Sequence, residues 1–274
     1  MSKPLPPIEE RFQRPSVMGI VNVTPDSFYG GSVHLRPEPA VAAAWSMLDH
    51  GAAIVDVGGE STRPAAEPVA AEEELRRVEP VLHGLAGAPI SIDTSKAVVA
   101  RRALELGVEL VNDVTALRGD PALTEVVADA GCYLCLMHMR GEPRTMQEHP
   151  AYDDVVSEVT AFLEERLAFA VANGIREDRV CLDPGIGFGK TTEHNFELIR
   201  RLDVLLALGR PVLVGFSRKS SLGRVLGHAD ARTGPLSASL AAAVLAYEHG
   251  ATMLRVHDVH ETMDALAVAQ AVAG

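Results

Sequence analysis

Arg255 and His257 stand two residues apart at the end of an apolar run, so on a strand their side chains share a face, where a cationic pair can hold a phosphate-type anion. Arg63, Arg218 and Lys219 place further positive charge at the ends of two other apolar runs. Asp93, Asn112 and Asp183 also close such runs. A fixed carboxylate there can accept two donors side by side from one ligand, although Asp and Asn favour turns for purely local reasons, Asp183 above all before Pro184-Gly185.

Side chains of this kind act together only if the elements beneath them bring the run ends to one place. Eight short β-rich runs do stop at polar clusters: Val17–Val21 before Asn22, Ile54–Val57 before Gly58–Arg63, Ile90–Ile92 before Asp93, and Leu110–Val111 before Asn112-Asp113. The remaining four are Tyr133–Met137 before His138, Val180–Leu182 before Asp183, Val212–Val214 before Ser217-Arg218-Lys219, and Met253–Val256 before His257-Asp258. Apolar runs alternating with helical segments imply a parallel sheet of βαβ units.

The helical segments carry their own signal. Leu75, Val78, Val81/Leu82 and Leu85, and again Phe196, Ile199, Leu202 and Leu205/Leu206, recur at helical spacing and give a single apolar stripe to lay on the strands. Gly51, Gly107, Gly131, Gly174, Gly209 and Gly250 sit where a returning helix needs a left-handed residue. Eight units in 274 residues predict an α/β fold, a (β/α)8 TIM barrel of about 250 residues. A doubly wound open sheet shares the alternation, but it should open with a glycine-rich phosphate turn, and the first run ends in Asn22-Val23-Thr24-Pro25 instead.

With 47% hydrophobic residues and no membrane-length apolar stretch, the chain reads as one domain over 16–274, preceded by a loose arm over 1–15 containing four prolines. That arm lacks a hydrophobic signal region, so a cytoplasmic location is expected. The net charge of −12 disfavours nucleic acid and anionic membranes as partners, leaving a local cationic mouth on an acidic body. Cys132 and Cys135 would point to opposite faces of a strand, which argues against a metal or redox pair, and Cys181 reads as a core thiol. Gly185–Thr191 looks superficially like a nucleotide-binding loop, but Pro184 stands where that motif needs glycine.

Taken in order, Asn22–Phe28, Gly58–Pro64, Ile92-Asp93-Thr94, Asn112-Asp113-Val114, Leu182–Lys190, Ser217–Ser220 and Arg255–Asp258 resemble the dihydropteroate synthase family of pterin-binding barrels, over nearly everything from Val17 to the last helix. The resemblance implies transfer of a 7,8-dihydropterin-6-ylmethyl group from its diphosphate to the amine of 4-aminobenzoate, assisted by Mg2+. By family position Asp93, Asn112, Met137, Asp183 and Lys219 would bind the pterin. Thr62 and Ser217 would receive the aminobenzoate carboxylate, with Phe28, Pro64 and Phe188 as apolar walls. Asn22, Arg63, Arg255 and His257 would form the diphosphate site, with Asn22 as the metal contact. Without the resemblance, Asn22 reads as a turn residue. His138 differs in strand parity from Met137 and reads as structural.

The resemblance also implies small-molecule substrates and a homodimer through helices opposite the site. Two other functions fit a pterin-binding barrel: a methyltransferase that passes a methyl group to a corrinoid partner, disfavoured by Ser217–Ser220 and by Arg255/His257, and a catalytically silent paralogue. A metal-dependent hydrolase is disfavoured because the first run lacks a His-x-His. One departure stands out. Where the family usually reads Asp-Ser-Phe-Ser-Asp-Gly-Gly, this chain has Asp26-Ser27-Phe28-Tyr29-Gly30-Gly31, one residue shorter and without the second aspartate. The first loop is therefore expected to close over the site rather than supply charge, with Tyr29 adding apolar cover.

Overall fold

The computed structural model describes residues 5–24, 37–61, 67–141, 145–148, 150–228 and 230–273. Among them, eight parallel strands form one sheet: β1 (Ser16–Asn22), β2 (Ile54–Gly58), β3 (Ile90–Asp93), β4 (Leu110–Asp113), β5 (Tyr133–Met137), β6 (Val180–Asp183), β7 (Leu213–Val214) and β8 (Met253–Val256). Their order is β6-β5-β4-β3-β2-β1-β8-β7, and a parallel bridge between Leu182 and Val212 brings the two edges together. The result is the (β/α)8 barrel that the alternation predicts. Strand seven is the shortest, because Pro211 has no N–H to donate; its carbonyl accepts from the amide of Leu182 at 2.9 Å.

The described helices are α1 (Ile8–Arg11), α2 (Pro37–Asp49), α3 (Ala71–Gly84), α4 (Ala97–Glu105), α5 (Ala122–Ala130), α6 (Val155–Ala172), α7 (Thr192–Arg200), α8 (Leu202–Leu206), α9 (Ser220–Val225), α10 (Leu236–Glu248) and α11 (Val259–Ala273). The glycines expected to end them have φ between 60° at Gly131 and 104° at Gly250, the region that costs glycine least. No described helix is long and apolar enough to cross a membrane.

Strand parity divides the barrel into two apolar layers. Val17, Val21, Val55, Val57, Ile92, Val111, Leu134, Leu136 and Leu182 face outward onto the helices. Met18, Ile54, Leu110, Tyr133, Cys135, Cys181, Leu213 and Met253 fill the interior. Cys132 belongs to the outer layer and Cys135 to the inner one, so they do face opposite ways, and all three cysteines are free and buried.

Residues 5–15 depart from the loose arm expected. Ile8, opening α1, and Phe12, just past its end, are both fully buried and join the interior cluster, where Phe12 packs edge-on against Tyr133 with ring centroids 5.6 Å apart. The Tyr133 hydroxyl donates to the carbonyl of Pro6 at 2.8 Å, Arg179 holds the carbonyls of Leu5 and Pro6, and Arg11 pairs with Glu109 at 2.6 Å. The segment plugs the barrel end where the strands begin. Its prolines and charges masked an apolar pair that needed the open barrel bottom to show its purpose.

Candidate active site at the carboxyl ends of the strands

Above the apolar plug the interior becomes polar. Asp56, at the middle of β2, has the same inward parity as Ile54 and is fully buried. Its Oδ2 accepts from Nε of Arg255 at 2.7 Å and from the amide nitrogen of Asn112 at 2.9 Å. Nη2 of Arg255 reaches Oδ2 of Asp93 at 2.8 Å. One guanidinium thus serves two buried carboxylates. Burial, together with the nearby Asp56 charge and despite the opposing pull of Arg255, raises the Asp93 carboxyl to about 7. Gly58, also inward-facing, lies beside Asp93: a Cβ there would be in ordinary contact, 3.4 Å from that of Asp93.

Asp183 ends β6, buried, its Oδ1 accepting the amide of Gly185 at 2.7 Å. Burial moves its carboxyl above the ordinary value, partly countered by Lys219. Lys219 follows the short turn after β7 and points back across the mouth, its ammonium bonded to the carbonyl of Ile186 and 4.5 Å from the centre of the Phe188 ring. Burial lowers the Lys219 amine to about 8. Its stem lies against Gly187, where a Cβ would come within 3.0 Å of Cδ, and Gly187 has φ of 82°. Met137, opposite Asp183 in the strand register, joins Val114, Met139, Met146 and Phe188 in a small apolar wall.

On the neighbouring side, Ser217 and His257 meet: the serine hydroxyl lies 3.1 Å from Nδ1 of the imidazole and accepts the backbone amide of His257 at 3.2 Å. Asn22 closes β1, half-buried, in register with Gly58. The described site residues therefore converge on one barrel mouth. Arg255 is drawn down between the carboxylates, whereas His257 bonds to Ser217. Phe28, Thr62, Arg63, Pro64, Asp26 and Tyr29 lie outside the described residues.

Three supporting residues escaped notice in the sequence. Asp56 is hidden within an apolar run, and its signal was a carboxylate at inward parity. Lys190, buried, donates to the carbonyls of Gly185 at 3.0 Å and Phe188 at 3.1 Å and meets Nδ1 of His138 at 2.8 Å. This fixes the loop that carries Phe188. Burial drives the Lys190 amine well down, and burial with the Lys190 charge drives His138 to about 2. His138 packs edge-on to Phe162 and is structural, as its parity implies. Asn195 holds the amide of Gly187 at 2.8 Å and the hydroxyl of Ser221 at 2.8 Å. Gly185 admits no side chain, since a Cβ would sit 1.9 Å from the carbonyl oxygen of His138.

The described residues contain no group of three His, Cys, Asp or Glu side chains suited to a metal ion. Asn22, at the end of β1, offers an amide oxygen at this mouth. That donor set fits a hard divalent cation taking most of its ligands from water and a bound diphosphate, the usual habit of Mg2+, and does not fit zinc.

Comparison with known proteins places this mouth in context. Residues 18–257 match the family model described as pterin binding enzyme. The chain is 47% identical over 263 residues to a protein named dihydropteroate synthase from Escherichia coli strain K12, covering 94% of this chain and 91% of that one. Among solved structures, a Xanthomonas albilineans dihydropteroate synthase with 4-aminobenzoic acid superposes with a TM-score of 0.88 at 48% identity, covering 96% of this chain and 94% of that chain. Another from the same organism, in complex with 7,8-dihydropteroate, gives 0.84 at 45% identity, covering 96% and 95%.

Proposed function

This chain belongs to the dihydropteroate synthases, within the pterin-binding enzymes, and on that premise we infer that it condenses (7,8-dihydropterin-6-yl)methyl diphosphate with 4-aminobenzoate to give 7,8-dihydropteroate and pyrophosphate in folate biosynthesis. The observation that carries the reading is the pairing, at one barrel mouth, of buried carboxylates at Asp93 and Asp183 with cations at Arg255 and Lys219. A pterin ring presents adjacent N–H donors to a carboxylate, and a diphosphate needs the cations.

The arylamine nitrogen attacks the pterin methylene carbon as the bond from that carbon to the diphosphate oxygen breaks; the electron pair leaves with pyrophosphate, and the amine gives up a proton. No protein nucleophile is required. Asp183 accepts from the 2-amino and N3–H edge of the pterin, with Asn112, Asp93 and Lys219 meeting the other polar atoms and Met137 lying against the ring. Arg255, His257 and Arg63 stabilise the charge that develops on the leaving group. Ser217 and Thr62 receive the aminobenzoate carboxylate, and Phe28, Pro64 and Phe188 enclose its ring and exclude water that would otherwise capture the methylene. Mg2+, held by Asn22 and the diphosphate, would supply further charge neutralisation at the departing oxygens.

A cytoplasmic homodimer completes the proposal. The adjacent outer helices α10 and α11 carry exposed Leu236, Leu245, Val268 and Val272, apolar surface that a second copy could cover. Incubation with dihydropterin diphosphate, labelled 4-aminobenzoate and Mg2+ tests the reaction. Labelled dihydropteroate is the expected product, and its absence under conditions where both substrates bind would refute the assignment.

A further inference from the structure

Ser217 and His257 sit on different loops, and each is followed by a charged residue that faces its counterpart. Arg218 donates through Nε to Oδ2 of Asp258 at 3.0 Å and through Nη2 to Oδ1, a two-point guanidinium–carboxylate contact. Asp258 remains largely shielded while Arg218 is half-exposed.

An ordinary surface ion pair would explain a contact between two loops but not the backbone that makes it. Arg218 adopts φ of 56°, a left-handed conformation uncommon for a side chain of its size. Its amide donates to the hydroxyl of Ser239 at 2.9 Å, and its carbonyl accepts the amide of Gly234 at 3.0 Å. Gly234 itself has no room for a side chain, since a Cβ would lie 2.8 Å from the carbonyl oxygen of Lys219 and 2.5 Å from Cβ of Leu222. Asp258 is fixed from the other side, its carbonyl accepting both the hydroxyl of Thr262 at 2.7 Å and the amide of Thr262 at 3.1 Å in the first turn of α11. Strained backbone persists where its surroundings over-determine it, and here those surroundings set the relation between two loop ends that carry substrate contacts.

We propose that Arg218 and Asp258 are positioning residues, a clasp that locks the loops after β7 and β8 in the register that brings Ser217 and His257 together. The inference rests on Ser217 and His257 contacting the substrates. Neither clasp residue need touch a substrate. Its effect falls on the aminobenzoate and diphosphate ends of the site; the pterin pocket takes Asp93, Asn112, Met137 and Asp183 from β3 to β6 and only Lys219 from the clasped loop, where the carbonyl of Ile186 holds its ammonium separately.

Arg218→Gln, the nearly isosteric Asp258→Asn and the double variant test this in the full-length enzyme. Each single change is expected to raise KM for 4-aminobenzoate and for the diphosphate substrate by roughly tenfold or more, with the double variant no worse than the worse single. Calorimetric affinity for a dihydropterin lacking diphosphate should stay within about twofold of wild type. A KM unchanged in both singles overturns the clasp, as do additive losses, or a loss confined to Arg218→Gln, which would mean direct contact between Arg218 and substrate. Wild-type protein that binds both substrates yet makes no dihydropteroate would instead remove the functional reading, and the clasp with it.

Discussion

Nη2 of Arg255 lies 2.8 Å from Oδ2 of Asp93 while Nε of the same guanidinium lies 2.7 Å from Asp56, so the cation assigned to diphosphate also neutralises the barrel interior. Arg255→Ala should therefore do two kinds of damage. Leaving buried carboxylates unpaired costs about 3–5 kcal/mol of stability, in addition to weakened diphosphate binding. His257→Ala should weaken diphosphate binding with a comparatively small change in stability, because His257 takes a partner from the neutral hydroxyl of Ser217 rather than from two buried carboxylates. Urea melts and binding at two ionic strengths separate the effects. Equal stability losses in the two variants would contradict the buried-hub role of Arg255.

The same hub sets a pH dependence. Asp93 has its carboxyl raised from 3.8 to about 7, so between those values the folded protein holds a proton that the unfolded chain releases. Its contribution is fully present below the unfolded value and is lost as pH rises through the folded one. The stability of wild type relative to Asp93→Asn should fall from about pH 4 to about pH 7 and then level off. A relative stability that climbs over this interval would mean that Arg255 holds Asp93 ionised.

Phe12 predicts the strength of the barrel plug. It is fully buried against Tyr133, and Phe12→Ala should cost about 3–5 kcal/mol while leaving pterin affinity unchanged in the folded protein. A loss below about 1 kcal/mol would show the N-terminal segment to be dispensable.

What the sequence revealed and what it hid follow from range. Strands, glycine-ended helices and the residues closing each run are local patterns, and so Asp93, Asn112 and Asp183 could be placed at strand ends, while their assignment to the pterin came from the family resemblance. Asp56 could not, because its meaning depends on Arg255 arriving from a strand that closes the barrel 199 residues later. Ile8 and Phe12 needed the same closure to have anything to plug. Lys190 stood in a motif, but only the folded loop shows that its amine gathers the carbonyls of Gly185 and Phe188. The aminobenzoate walls came from family resemblance, with no signal in composition or periodicity.

The shortened first loop allows a test of where charge stabilisation originates. If that loop acts by closure, Asp26→Asn should retain turnover within about tenfold of wild type, with substrate affinities little changed. Turnover abolished while pterin and diphosphate still bind would make Asp26 the carboxylate facing the cationic methylene.

Asp183 carries the central claim, that a buried strand-end carboxylate in this mouth receives the pterin. Asp183→Ala leaves two ligand donors unpaired and should cost about 2–4 kcal/mol, roughly 30- to 1,000-fold in affinity. The decisive measurement is calorimetric titration of wild type and Asp183→Ala with a dihydropterin analogue, alongside a melt confirming that the variant is folded. The account predicts a loss within that range, and a folded variant that binds within about threefold of wild type would contradict it.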